Sequence, residues 1–128
     1  MKGSVRLNGM QQMMLRWEEF RPVNAVHLVT LQHQVSLESL RRAVDAATRT
    51  LCLGPIEICR RRTSIRWHNG LEVTGDFPFP TILEGSSWEQ VYGGIASELN
   101  TRFVGDIHWP FRLSFVPDIG GQSAILLT

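Results

Sequence analysis

Pro110-Phe111-Arg112-Leu113-Ser114-Phe115-Val116, Pro117-Asp118-Ile119-Gly120-Gly121-Gln122 and Ser123-Ala124-Ile125-Leu126-Leu127-Thr128 follow one another at the end of the sequence. The first segment reads as a strand, the second as a turn and the third as a second strand. Pro110 suits a strand's first residue, where the missing N–H costs least. Asp118 and the Gly120-Gly121 pair give the backbone the freedom a chain reversal needs. No polar residue stands between Ser123 and Thr128, so the second strand is expected to be buried on both faces. A buried strand rarely closes a domain while still apolar. The expectation is therefore a fold that continues beyond Thr128.

Working outward from that hairpin, Ser87 and Gln90 form a capping box ahead of a helix over 88–100. Trp88, Val91, Tyr92, Ile95 and Leu99 make its apolar stripe. Gly93-Gly94 inside the helix costs about 1 kcal/mol per glycine relative to alanine, a cost that close packing against a neighbour would offset. Residues 75–85, with Phe77-Pro78-Phe79-Pro80, read as a connector over apolar surface. Ile56 and Ile58 begin a strand, and Ile65 and Trp67 mark its partner after a reversal near 61–64. His68-Asn69-Gly70 is a turn signal, with a third short strand around Leu71 to Val73. Arg60-Arg61-Arg62 admits two readings, a phosphate contact for a pantetheine carrier or coenzyme and a solvated hairpin tip. A short charge run favours the tip.

Further toward the N-terminus, Ser36 caps a helix over 37–50, with Val35 and Leu40 placed as a hydrophobic staple. Leu37, Leu40, Val44, Ala47 and Leu51 make the stripe expected to be buried. Glu38 with Arg42 and Asp45 with Arg49 are acid-first pairs four apart, the better orientation on an exposed face. Gly54-Pro55 stops this helix. Residues 25–31 read as a strand running on to about Gln34. His27 and His33 would share one face of it, about 20 Å apart and too distant to hold one metal ion. Asn8 and Gln11 form a first capping box. Met10, Met13, Met14, Trp17 and Phe20 then follow at helical spacing over 10–20, a stripe expected in the core rather than lining a substrate. Residues 1–7 read as a loose leader.

The 128 residues are one domain's length, and 43% hydrophobic with 20% charged residues fits an ordinary soluble globular class. A net charge of +1 makes no case for nucleic-acid or membrane-surface binding. The basic residues are nearly all arginine, with Lys2 the one lysine. No run approaches the ~18 apolar residues of a membrane span, and no secretory signal core is present. Cys52 and Cys59 match neither a redox CxxC nor a zinc pattern and read as two reduced core thiols. The expected location is the cytoplasm.

No Gly-rich phosphate loop, Ser-His-Asp order or metal-ligand cluster is present in the sequence. Asp106 and His108 could pair as orienter and base, although a structural or exposed His108 is the plainer reading. His68 sits in a turn without a role. The order of segments, however, resembles the opening of the condensation-domain superfamily, which shares a chloramphenicol-acetyltransferase-like fold. Asn8-Gly9-Met10-Gln11 with Met14 looks like that family's Ser-x-x-Gln motif. Arg49 and Leu53 match its Arg-His-x-x-Leu-Arg motif, where Thr50 and Gly54 replace the histidine and second arginine. Pro110-Phe111-Arg112 is similar to its Pro-Leu-Leu-Arg strand.

The resemblance implies an α+β chain in which residues 1–128 are a partial, C-terminally truncated N-terminal lobe of a two-lobe fold. Helices would pack on one mixed sheet. It implies transfer of an acyl or aminoacyl group from a thioester to an amine or hydroxyl. The donor would be acyl-CoA or a phosphopantetheinyl acyl or peptidyl carrier protein, with no permanently bound cofactor. The second lobe of the same fold is the other implied partner. The family's His-His-x-x-x-Asp-Gly motif would follow the strand at 123–128. Within the chain itself no residue is assigned as catalytic, cofactor-binding or metal-binding. The alternative is a non-catalytic ferredoxin-like binding or dimerisation module, since β-α-β-β-α-β from about residue 26 also fits that order.

Overall fold

The terminal hairpin is the centre of the molecule in a computed structural model, which describes residues 3–59, 61, 63–68 and 80–128. Its strands are β7 (Leu113–Ile119) and β8 (Gln122–Leu127), paired antiparallel. Gly120 and Gly121 join them as a two-residue turn with φ of 61° and 89°, the left-handed pair that matches strand twist. The first strand begins three residues later than expected and runs on to Ile119. Pro110 therefore lies ahead of it, while Pro117 falls inside it. The register shift between Val116 and Ile119 accommodates Pro117, because a bulge is one of the few places a strand tolerates proline.

The other elements are β1 (Gly3–Arg6), α1 (Gly9–Trp17), β2 (His27–Leu31), α2 (Leu37–Thr50), β3 (Ile56–Ile58), β4 (Ser64–Trp67), β5 (Thr81–Ile82), α3 (Trp88–Asn100) and β6 (Ile107–His108). They make an α+β fold with two four-stranded sheets, not the one mixed sheet expected. One sheet runs β2-β8-β7-β5 and is mixed, because β5 pairs parallel to β7. The other runs β1-β4-β3-β6 and is antiparallel. The residues read as a loose leader thus supply an edge strand, with Gly3 opposite Trp67 and Arg6 opposite Ser64. The β3–β4 hairpin forms as expected, with Ile56 opposite Trp67 and Ile58 opposite Ile65. The strand expected around Leu71 to Val73 lies outside the described residues.

The core lies where α3 crosses the β7–β8 hairpin. Val91 packs with Val116, Ile119, Ala124 and Leu126, and Val26, Leu83 and Ile95 close the edges. The expected burial of β8 holds in part: Ser123, Ala124 and Leu126 are buried, whereas on the Ser123 face Ile125 is half-buried and Leu127 is 37% exposed. Buried Ser123 stays satisfied, since its hydroxyl donates to the Pro117 carbonyl at 2.7 Å and accepts the Val35 N–H at 2.9 Å. That second bond ties the entry of α2 to the middle of the sheet. Gly94 lies so close to the hairpin that a Cβ there would stand 2.8 Å from Leu83 Cδ1 and 3.4 Å from Leu126 Cδ1. Gly93 faces open space.

None of the three helix stripes is buried throughout as expected, and those of α3 and α1 depart most. Trp88, Tyr92 and Leu99 of α3 are exposed, so only Val91 and half-buried Ile95 of that stripe serve the core. On α1 the expected core face points away altogether: Met10, Met13, Met14 and Trp17 are exposed, and so is Phe20 in the turn that follows. The half-buried positions are Gln12, Leu15 and Glu18. Polar ties accompany this orientation. Gln12 Nε2 donates to the Leu7 carbonyl at 2.8 Å, and Arg102 Nη2 donates to the Glu19 carbonyl at 2.9 Å.

Helix α2 has Arg42 exposed, with Glu38–Arg42 and Asp45–Arg49 paired as expected. Of its expected stripe Leu40 is buried, Leu37 and Val44 are half-buried and Ala47 is exposed, while Thr48 is buried in its place. Its stop is local. Cys52 adopts φ 51°, while the Leu53 N–H donates to Thr48 O and the Cys52 N–H to Arg49 O. These two bonds define a Schellman cap, with cysteine where glycine is usual. Leu51 and Cys52 are therefore exposed, and Cys59 is half-buried. Neither thiol is the fully buried core residue expected.

Candidate functional site

The best-organised polar cluster forms at the far end of β8, around Glu98 of α3. Helix periodicity sets Glu98 one turn beyond Gly94 and two beyond Val91, on the face that meets the hairpin. Its Oε2 accepts from Arg112 Nε at 2.9 Å and from the Thr128 hydroxyl at 3.1 Å, and it pairs as an ion with Arg112 Nη2 at 2.8 Å. Its Oε1 accepts from the hydroxyl of buried Ser114 at 3.4 Å. Arg112 in turn exchanges both backbone bonds with Thr128, each 3.0 Å. Its guanidinium lies 4.1 Å above the Phe103 ring and donates to the Thr101 carbonyl at 2.9 Å.

Asn24 Nδ2 reaches the Glu98 and Thr101 carbonyls at 2.8 and 2.6 Å. A cation and an amide at a helix C-terminus satisfy carbonyls that the helix leaves unpaired. One carboxylate thus joins the last turn of α3, the start of β7 and the end of β8. Arg112 belongs to the Pro-Leu-Leu-Arg-like stretch, but Glu98 was not legible as its partner. Only the folded register brings the two together.

A second feature is a cavity of about 470 Å³ between the end of α1, the end of β3 and the loop into β6. Glu18, Glu19 and Asp106 bring carboxylates to its lining, and Arg61 and Arg102 bring guanidiniums. His108 lines the same cavity, with its ring stacked on Phe103 at 5.3 Å. Its Nδ1 lies 3.0 Å from the Gly105 carbonyl. A carbonyl can only accept, so Nδ1 carries a proton. The considered pairing of His108 with the Asp106 carboxylate is not what orients the ring. Asp106 instead offers its backbone carbonyl to the Ile58 N–H at 2.8 Å.

The remaining singled-out residues are dispersed. His27 and His33 are both exposed, and His33 falls beyond the end of β2. Of the arginine run, Arg61 is exposed with φ 70°, while Arg60 and Arg62 lie outside the described residues. His68 has a partner that the sequence reading missed. Its Nε2 donates to Glu57 Oε2 at 3.0 Å, and Arg66 Nη1 reaches the same oxygen at 3.1 Å. The signal was available in the hairpin register, since Glu57 stands opposite Arg66 and His68 is two residues further along the same face.

Among the described residues no group of three or more His, Cys, Asp or Glu side chains could hold a metal ion. No described helix is long and apolar enough to cross a membrane. No family model matches the sequence, and no curated protein matches it.

Proposed function

We propose that this chain is the N-terminal part of an acyltransferase resembling the condensation-domain superfamily, and that β8 leads into its active site. The reading rests on the placement of β8. It lies between β2 and β7, fully covered at Ser123 and Leu126, and its end is held by Arg112 and Glu98. A strand held in this way fixes the position of a base just beyond it within hydrogen-bond reach of a nucleophile.

In the proposed reaction an amine or hydroxyl attacks the carbonyl of an acyl thioester carried on coenzyme A or a phosphopantetheinyl protein. A histidine following Thr128 accepts the nucleophile's proton, the C–S bond breaks, and the proton passes to the leaving thiolate. Histidine suits both transfers because its pKa lies near working pH. The exposed stripe of α1 also fits a surface that a second lobe of the same fold covers.

The ferredoxin-like alternative would draw β2, β3, β4 and β7 into one sheet. Here β2 and β7 share one sheet, and β3 and β4 belong to the other. The topology does not favour that alternative.

Reading the coding sequence beyond codon 128 tests the proposal most directly. The expected result is His-His-x-x-x-Asp-Gly in frame within a few codons. The encoded protein should release thiol from an acyl thioester in the presence of an amine acceptor, and should lose this when the second histidine is replaced by alanine. A continuation without the histidine pair overturns the mechanism.

A further inference from the structure

The Glu98 cluster spans three elements, yet nothing in the hydrophobic core requires a carboxylate there. An apolar residue facing β7 and β8 would bury its surface with no charge to desolvate. A carboxylate is useful where a geometry must be held, because each of its bonds fixes a direction as well as a distance. We propose that Glu98 is a positioning residue, whose carboxylate sets the point and direction at which the polypeptide leaves β8. This inference rests on the acyl-transfer reading for its catalytic consequence, but its structural half can be measured without it.

The geometry is specific. Arg112 approaches Oε2 through both Nε and Nη2, at 2.9 and 2.8 Å, while Thr128 donates to the same oxygen at 3.1 Å. Phe103 supports the guanidinium from below at 4.1 Å, and the Thr101 carbonyl takes a further Nη2 bond at 2.9 Å. Arg112 therefore cannot swing away without giving up contacts to α3, to the following loop and to β8 together. The two backbone bonds between Arg112 and Thr128 close the end of the hairpin against this anchor. Thr128 is thus held both at its backbone, by Arg112, and at its hydroxyl, by Glu98.

Amide hydrogen exchange on the 128-residue chain tests the structural half. In Glu98→Gln the Arg112 and Thr128 amides should exchange at least tenfold faster, while the Ile125 and Leu126 amides change less than twofold. Thr128→Val keeps the shape and removes one bond to Glu98, so it should accelerate the Thr128 amide alone. If Glu98→Gln does not fold, Thr128→Val decides the matter. Uniform acceleration along β8, or none at its end, overturns the proposal.

In the protein encoded by the whole reading frame, Glu98→Gln should lower kcat at least tenfold with KM unchanged. Wild-type transfer that is insensitive to Glu98→Gln sinks the positioning role. A wild-type protein with no transfer sinks the acyl-transfer reading and leaves the exchange result to judge Glu98.

Discussion

At Cys52 the backbone takes a left-handed conformation that α2's Schellman cap demands and that a Cβ opposes. Cys52→Gly should therefore raise stability by about 0.5–1 kcal/mol, the relief of Cβ crowding less the entropy of a freer unfolded chain. Urea unfolding of the two proteins measures it, and a lowered midpoint for the glycine variant would contradict this account. Asp118 shows a smaller effect of a different kind. The Gly121 N–H bonds its Oδ1 at 2.9 Å and the Gln34 side chain assists, and together they hold its pKa below the ordinary aspartate value against a weak opposing effect of burial. A group whose folded pKa is depressed contributes stability above its unfolded pKa and loses it as pH falls through the folded one. The hairpin turn should thus weaken on acidification below the usual aspartate range. A carboxyl titration of Asp118 by NMR with its midpoint at or above the ordinary value would exclude this.

Helix α3 separates what a segment can specify alone from what its neighbours decide. Both arms of its capping box form as expected, because Ser87 and Gln90 need only each other. The same holds for Asn8 with Gln11 and for the charge pairs of α2. Strand β5 was not legible, since two residues inside a connector become a strand only by lying beside β7. Likewise β1 exists because β4 is there to pair with it. The Glu98 cluster was illegible for a related reason: its members come from α3, from the residue before β7, from β7 itself and from the residue after β8. Gly93 and Gly94 look identical in sequence but meet different surroundings. Gly93→Ala adds a methyl in open space and should stabilise α3 by about 1 kcal/mol. Gly94→Ala must displace Leu83 from the core edge, so it should gain clearly less or reverse sign. Thermal unfolding of the two variants makes the comparison, and equal gains would show that α3 does not crowd the hairpin at Gly94.

The whole molecule buries most of its last strand, as the apolar pattern implied, but exposes the stripe of its first helix, against that pattern. Because β8 lies between β2 and β7, the described edges of that sheet are β2 and the short β5. Leu28 and Val29 of β2 are exposed beside that edge. The larger apolar surface lies on α1 and the turn after it, where Trp17 is 62% and Phe20 80% exposed, and Met10, Met13 and Met14 complete the stripe. Amphipathic periodicity identifies such a stripe but not what covers it, because the same pattern serves a core and a contact surface. The two cases differ in what polar substitution does. A buried stripe replaced by polar residues would unfold the chain, whereas an exposed one should lose only its tendency to associate. The triple variant Met13→Gln, Trp17→Gln, Phe20→Ser should keep its unfolding free energy within about 0.5 kcal/mol, as is usual for surface changes. Sedimentation velocity over a concentration series should show the unsubstituted chain forming larger species and the variant shifted toward monomer. An unfolded variant would place the stripe in the core after all. A parent chain that stays monomeric throughout the series would remove the claim that this face drives association.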